Sequence, residues 1–300
     1  MKTRRLQWGL ALSLLAFQLA VSAPQYLSNF SDFAAFPYNT SAYKQGGAFV
    51  GCGPTTGAMM FAYFQSVHSL SGLLIDPGVA VDTDLGLNTA WVLHGSAYMK
   101  TGADGFGKVD YIESGLETYA SDRSFTVKVT IHAGTSYSDP NSPDAAWLNA
   151  YGPFGDAWTN DGAFWIKNAN GTWKIDPDLF CDFLAARLPL GVPIFLTIDT
   201  NADGGGDHWV PLVGYDRAAK QYAFYNTYDT NLHWADIYYM GDPAGKKVNS
   251  ISMVRTVEFI PTGQPDIAVD ASSLNFGRSK SGTTWSSTSP FPTQVRRTSS

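Results

Sequence analysis

The chain has 300 residues, 44% apolar and 15% charged: room for one or two domains with a sizeable core, and too apolar for a disordered chain. Its net charge is −6 with no basic patch, which excludes nucleic acid as an expected main partner. Its two cysteines are too few for a disulfide framework.

The first segment reads as an export signal. Lys2, Arg4 and Arg5 precede an apolar stretch from Leu6 to about Val21, and Val21-Ser22-Ala23 puts small residues where a signal peptidase cuts. Gln7, Ser13 and Gln18 interrupt the stretch, which argues for removal rather than a retained anchor. The expectation is a signal peptide over 1–23 and a secreted protein, extracellular or periplasmic, with no stable membrane association after cleavage.

A lead-in rich in Tyr, Phe and Ser follows over 24–44. Gly51, Gly53 and Pro54 then mark a turn running into an apolar stretch, which predicts a helix from Cys52 to about Ser66 with the thiol at its N-terminus. Amphipathic patterns predict helices near Tyr111–Ala120 and Pro177–Leu188. Alternating or short apolar runs predict strands at Phe125–His132, Pro193–Asp199, His208–Tyr215, Gln221–Asn226, His233–Tyr239 and Ser250–Ile260. Pro211 marks an irregularity in the third of these. Helices early and strands late give an α+β class.

Residues 134–176 lack clear periodicity and carry Trp147, Trp158, Trp165 and Trp173. A long segment of that kind is expected at the border of a cleft, with a satellite core beneath a loop as the plainer reading. Beyond residue 262 the composition shifts. PDIAVDASSLNFG (265–277) resembles the opening of bacterial immunoglobulin-like repeats, and the Ser/Thr-rich residues after it are expected to be poorly ordered. The expected organisation is signal 1–23, main domain 24–262, and a linker with a truncated module or tail over 263–300.

A thiol attacks carbonyls as thiolate. A helix N-terminus, a nearby imidazole and donors for the oxyanion all help. Cys52 has the helix start. Among the five histidines, His208 has the clearest setting, opening a strand after the glycine-rich run GGGD. Cys181 lies in the apolar helix pattern LFCDFLAARL and reads as packing; a single Cys52–Cys181 disulfide is the bland alternative.

Two stretches carry a resemblance. GCGPTTGAMMFAYF (51–64) is similar to the catalytic-cysteine motif of the bacteriocin-processing cysteine peptidases, the C thirty-nine-like group of papain-fold enzymes, and DHWVPLVGYD (207–216) resembles that group's histidine motif. The likeness extends over roughly 40–260 and is specific at these motifs. It implies a papain-like fold, with a helical half bearing the cysteine packed on an antiparallel half. It implies a Cys52 nucleophile, a His208 base, and Asn226 as the orienting third member, with Asp229 as runner-up. It also implies Gln45 as an oxyanion donor, although an extra glycine in QGGAFVG sets Gln45 one residue farther from the thiol than in the group. The implied activity is hydrolysis of a peptide or protein substrate through an acyl-enzyme, without cofactor or metal. An acyltransferase or amidase on the same fold, and an inactive aromatic-rich binding module, are the rivals.

Other chemistry finds less support. DTNADG (199–204) opens like a calcium loop, but Val210 stands where the closing Glu would be. There is no HExxH for zinc and no G-x-S-x-G for a serine hydrolase. The sequons at Asn29, Asn39 and Asn170 matter only in a eukaryotic source.

Overall fold

The computed structural model describes residues 23–30, 44–45, 48–75, 89–101, 109–132, 158–159, 163–167, 169, 173–229, 231–242 and 244–261. All fall within the first of the chain's two units, Met1–Gly263, the second being Gln264–Ser300. The expectations for the signal segment and for 263–300 therefore lie outside the described residues.

The longest apolar helical run becomes α1, Cys52–Val67, and every residue from Cys52 to Phe64 is buried. A helix that is apolar on all sides belongs inside the domain rather than on its surface. Helices α2 (Thr89–His94) and α3 (Val109–Ser121) pack against it, with the ring of Phe61 on that of Tyr119 at 4.9 Å. Gly57 permits this approach, since a Cβ there would lie 2.8 Å from Leu116 and 3.0 Å from Met99.

The other layer is an eight-stranded sheet. Its strands are β1 (Gln25–Tyr26), β4 (Thr126–His132), β5 (Trp158–Thr159), β8 (Ile194–Asp199), β9 (His208–Asp216), β10 (Gln221–Tyr225), β11 (Leu232–Asp236) and β12 (Ser250–Ile260). The order is β11-β10-β9-β8-β12-β4-β5. Strand β1 continues the line of β8 along β9: β8 pairs with His208 to Leu212, and β1 with Gly214 and Tyr215. Pairing is antiparallel except between β4 and β5. Central β8 is buried along its whole length and β9 up to Tyr215, which explains their unbroken apolar runs, whereas β4 alternates toward solvent. Close to Pro211 the β9–β10 register slips, Ala223 facing Gly214 and Phe224 facing Leu212. Two hairpins complete the strands: β2 (Lys44–Gln45) with β3 (Ala48–Phe49), and β6 (Trp165–Lys167) with β7 (Trp173–Ile175). The class is thus mixed α+β, helices against an antiparallel sheet.

Several boundaries move for simple reasons. Helix α4 runs from Pro177 to Ala185, capped by the Asp176 carboxylate, which accepts from the amides of Asp178 and Leu179. It stops short of Leu188 because Pro189 cannot continue it; a 3-10 turn, Leu188–Leu190, and left-handed Gly191 follow. Strand β11 ends at Asp236, where its partner runs out at Gln221. The tryptophan-bearing segment also departs from expectation. Phe164, Trp165 and Trp173 are buried, and Phe164 packs edge-on to Phe180 and Phe183 of α4. Trp165 donates from Nε1 to the His132 carbonyl at 3.1 Å. These side chains belong to the core rather than to a cleft wall. Trp147 and the Trp158 side chain lie outside the described residues.

Candidate active site

Cys52 is the first residue of α1. Gly51, with φ 93°, supplies a left-handed turn that an L side chain rarely adopts, and its carbonyl accepts from the hydroxyl of Thr55 at 2.8 Å. Gly53 serves packing: a Cβ there would stand 2.7 Å from Ile112 Cδ1 and 3.4 Å from Trp209. The helix start is therefore pressed onto both α3 and the beginning of β9.

Trp209 joins the two layers through its main chain. Its N–H donates to Cys52 Sγ at 3.4 Å, and its carbonyl accepts from the Thr56 hydroxyl at 3.0 Å. These groups are free to do so because β9 outruns β10, whose pairing reaches only Leu212. The neighbouring His208 is 1% exposed. Its Nε2 lies 2.7 Å from the main-chain oxygen of Asn226, and since a carbonyl only accepts, Nε2 carries the proton. Thr227 Oγ1 is 3.4 Å from the same nitrogen. Nδ1 has no hydrogen-bond partner and is the nitrogen left for the thiol.

Thiol and imidazole shift each other's titration. Burial pushes the Cys52 thiol up, but the adjacent His208 charge and the amides of Trp209 and Gly53 together hold it below its ordinary value. Burial likewise pushes His208 down, yet Cys52, the Asn226 carbonyl and Asp207 raise it above the usual imidazole range. Both directions favour a thiolate–imidazolium pair. Asp207 is itself fixed, accepting from the amide and the hydroxyl of Thr200, each at 2.8 Å.

The other residues marked in the sequence are placed as follows. The Asn226 side chain does not reach His208; its Oδ1 is buried without a partner, and only its main-chain oxygen meets the ring. Asp229 turns away to His233, at 2.9 and 3.1 Å, and to the Asn231 amide. Gln45 lies in β2 opposite Ala48, and its side chain is outside the described residues. Cys181 is buried within α4; both cysteines are free, and burial pushes the Cys181 thiol up to about 11. In the DTNADG turn, Asp199 accepts from the amides of Asn201, Asp203 and Gly204, so backbone donors occupy its carboxylate. Among the described residues no group of three His, Cys, Asp or Glu side chains could hold a metal ion.

Two neighbours escaped the sequence reading. Thr56 staples α1 to β9, and Tyr228 stacks on His208 with ring centroids 4.5 Å apart and planes 5° apart while staying 54% exposed. The available signal for Tyr228 was an aromatic residue in the otherwise polar stretch NTYDTN. Compared with protein-family models and with curated proteins, the chain matches none. No described helix is long and apolar enough to cross a membrane.

Proposed function

We propose that this chain is a secreted cysteine peptidase of papain-like arrangement, related to the bacteriocin-processing group by its two motifs. The observation that carries the reading is the thiol at a helix start, hydrogen-bonded by Trp209 N–H, beside an imidazole whose far nitrogen is anchored. The Cys52 thiolate attacks the substrate carbonyl carbon and pushes its π electrons onto oxygen. The orphan amide at the head of α1 and, on the family likeness, the Gln45 side chain stabilise that oxyanion. Collapse of the adduct breaks the C–N bond, and the imidazolium of His208 gives its Nδ1 proton to the departing amine. His208, now neutral, takes a proton from water; the hydroxide equivalent attacks the thioester and frees the acid and the thiolate.

The proposal is tested by incubating the mature protein with low concentrations of iodoacetamide or an epoxysuccinyl peptide, mapping the adduct by mass spectrometry, and running a casein zymogram beside Cys52→Ala. Labelling confined to Cys52, with a clear zone that Cys52→Ala lacks, is the expected result. Absence of labelling would leave a binding module on an inactive scaffold. Labelling without proteolysis, but with acyl transfer to hydroxylamine, would move the reading to an acyltransferase.

A further inference from the structure

If Cys52 and His208 are the reacting pair, as proposed above, the ring of His208 needs a fixed orientation. Two torsions govern an imidazole, and one hydrogen bond does not fix both. The bond from Nε2–H to the Asn226 carbonyl sets where the ring edge points but leaves rotation about the N–H···O line. The Tyr228 ring, parallel to within 5°, removes that rotation by covering the face. Thr227 between them has φ 59°, a left-handed turn that brings the residue 226 carbonyl and the residue 228 ring onto one imidazole from different directions. The side chain expected to do this work is elsewhere: Asn226 Oδ1 is buried without a partner, and the Asp229 carboxylate is engaged with His233.

We infer that His208 is oriented by the main-chain carbonyl of Asn226 and the stacked ring of Tyr228, so that Tyr228 is the positioning residue of the site and the Asn226 side chain has no part in it. The electron-rich face of a phenol ring also favours the protonated imidazole over the neutral one. The charged and titratable groups facing His208 are Cys52 of α1, Asp207 next to it in sequence, and Tyr228, whose ring is stacked on it. The outer face of Tyr228 meets solvent, so its ring also screens the Nε2–H···O bond from water.

The test uses the mature full chain and three variants, Asn226→Ala, Tyr228→Ala and Tyr228→Phe. One readout is the pH profile of Cys52 labelling by iodoacetamide, whose lower inflection marks formation of the ion pair and whose upper inflection marks loss of the imidazolium proton. The other is the rate of casein hydrolysis. Asn226→Ala is expected to keep both inflections and to stay within about threefold of wild type in hydrolysis, because it keeps the carbonyl. Tyr228→Ala is expected to lower the upper inflection by about half a unit and to slow hydrolysis about tenfold, with Tyr228→Phe close to wild type. A loss of more than tenfold in Asn226→Ala, or an unchanged profile and rate in Tyr228→Ala, overturns the inference. Since Tyr228 is 54% exposed, its truncation should leave the fold intact, which melting curves verify; should it not, Tyr228→Leu, compared with Tyr228→Phe, is read by the same criteria. Wild-type protein that does not label at Cys52 would instead sink the peptidase reading itself, a distinct result.

Discussion

The two cysteines are both buried, yet their thiols are shifted in opposite directions. At Cys181, inside α4, burial is the largest effect and pushes the thiol up to about 11, with Asp178 and Asp182 adding to it and Arg217 and Lys220 opposing it. Cys52 is also buried, yet its thiol moves down, because at a helix start it meets backbone amides and His208 instead of the closed wall of a helix. Burial is common to both sites and cannot be what sets reactivity. The donors and charge within reach of the sulfur decide it, and these depend on whether the cysteine heads a helix or lies within one.

The sharpest way to break this contrast is to remove each thiol in turn. Cys52→Ala should abolish peptidase activity, and Cys181→Ser should leave it largely intact. In wild type, alkylation of Cys52 should proceed well below the pH at which Cys181 reacts, since a lowered thiol pKa puts thiolate at lower pH and a raised one withholds it until strongly alkaline solution. Equal labelling of both at neutral pH would undo the contrast. Removing the imidazole comes next. His208→Ala should reduce turnover by roughly 10³-fold or more and shift Cys52 labelling to higher pH, bringing it toward Cys181.

Smaller effects separate the two neighbourhoods by stability. Trp165, 4% exposed and edge-on to Tyr239 at 5.1 Å, belongs to the packing around α4. Trp165→Ala should cost about 3–5 kcal/mol of stability in denaturant melts while leaving KM of the folded fraction unchanged. Thr56→Val acts at the other end. Loss of its bond to the Trp209 carbonyl should cost about 1 kcal/mol, a fall of roughly 2–4 °C in Tm, and slow Cys52 labelling more than that small destabilisation would suggest. A Thr56→Val protein with wild-type labelling would show that the staple serves the fold alone.

The parts of this arrangement that could be read from sequence are those written in local patterns. The glycine and proline around Cys52 and the apolar run after them mark α1, and the unbroken runs of β8 and β9 mark central strands. Short elements carried no comparable signal. Helix α2 has six residues and β1 has two, and Phe164, just before β6, packs on Phe180 and Phe183 of α4, a contact that no local pattern announces. At the site, His208 was legible because a loop-to-strand corner announces it. The groups in contact with its ring were not. A main-chain carbonyl is present at every residue and leaves no mark in composition, so the contact of the Asn226 carbonyl with His208 has no sequence signal, and neither has the Tyr228 stack, since contact across a turn has no period.

The meeting of strand and helix at Trp209 gives the molecule an internal reporter. The N–H of this residue is bound to sulfur rather than to a carbonyl, and a thiolate is a better acceptor than a thiol or a thioether. Its proton should therefore exchange with solvent deuterium at a rate that follows the chemical state of Cys52, slowly while the sulfur is anionic and faster once it is alkylated. The amides of Leu196 and Ile198 in the neighbouring strand, buried in the centre of the sheet, should not respond. Exchange at one main-chain position would then track the nucleophile in the absence of any substrate.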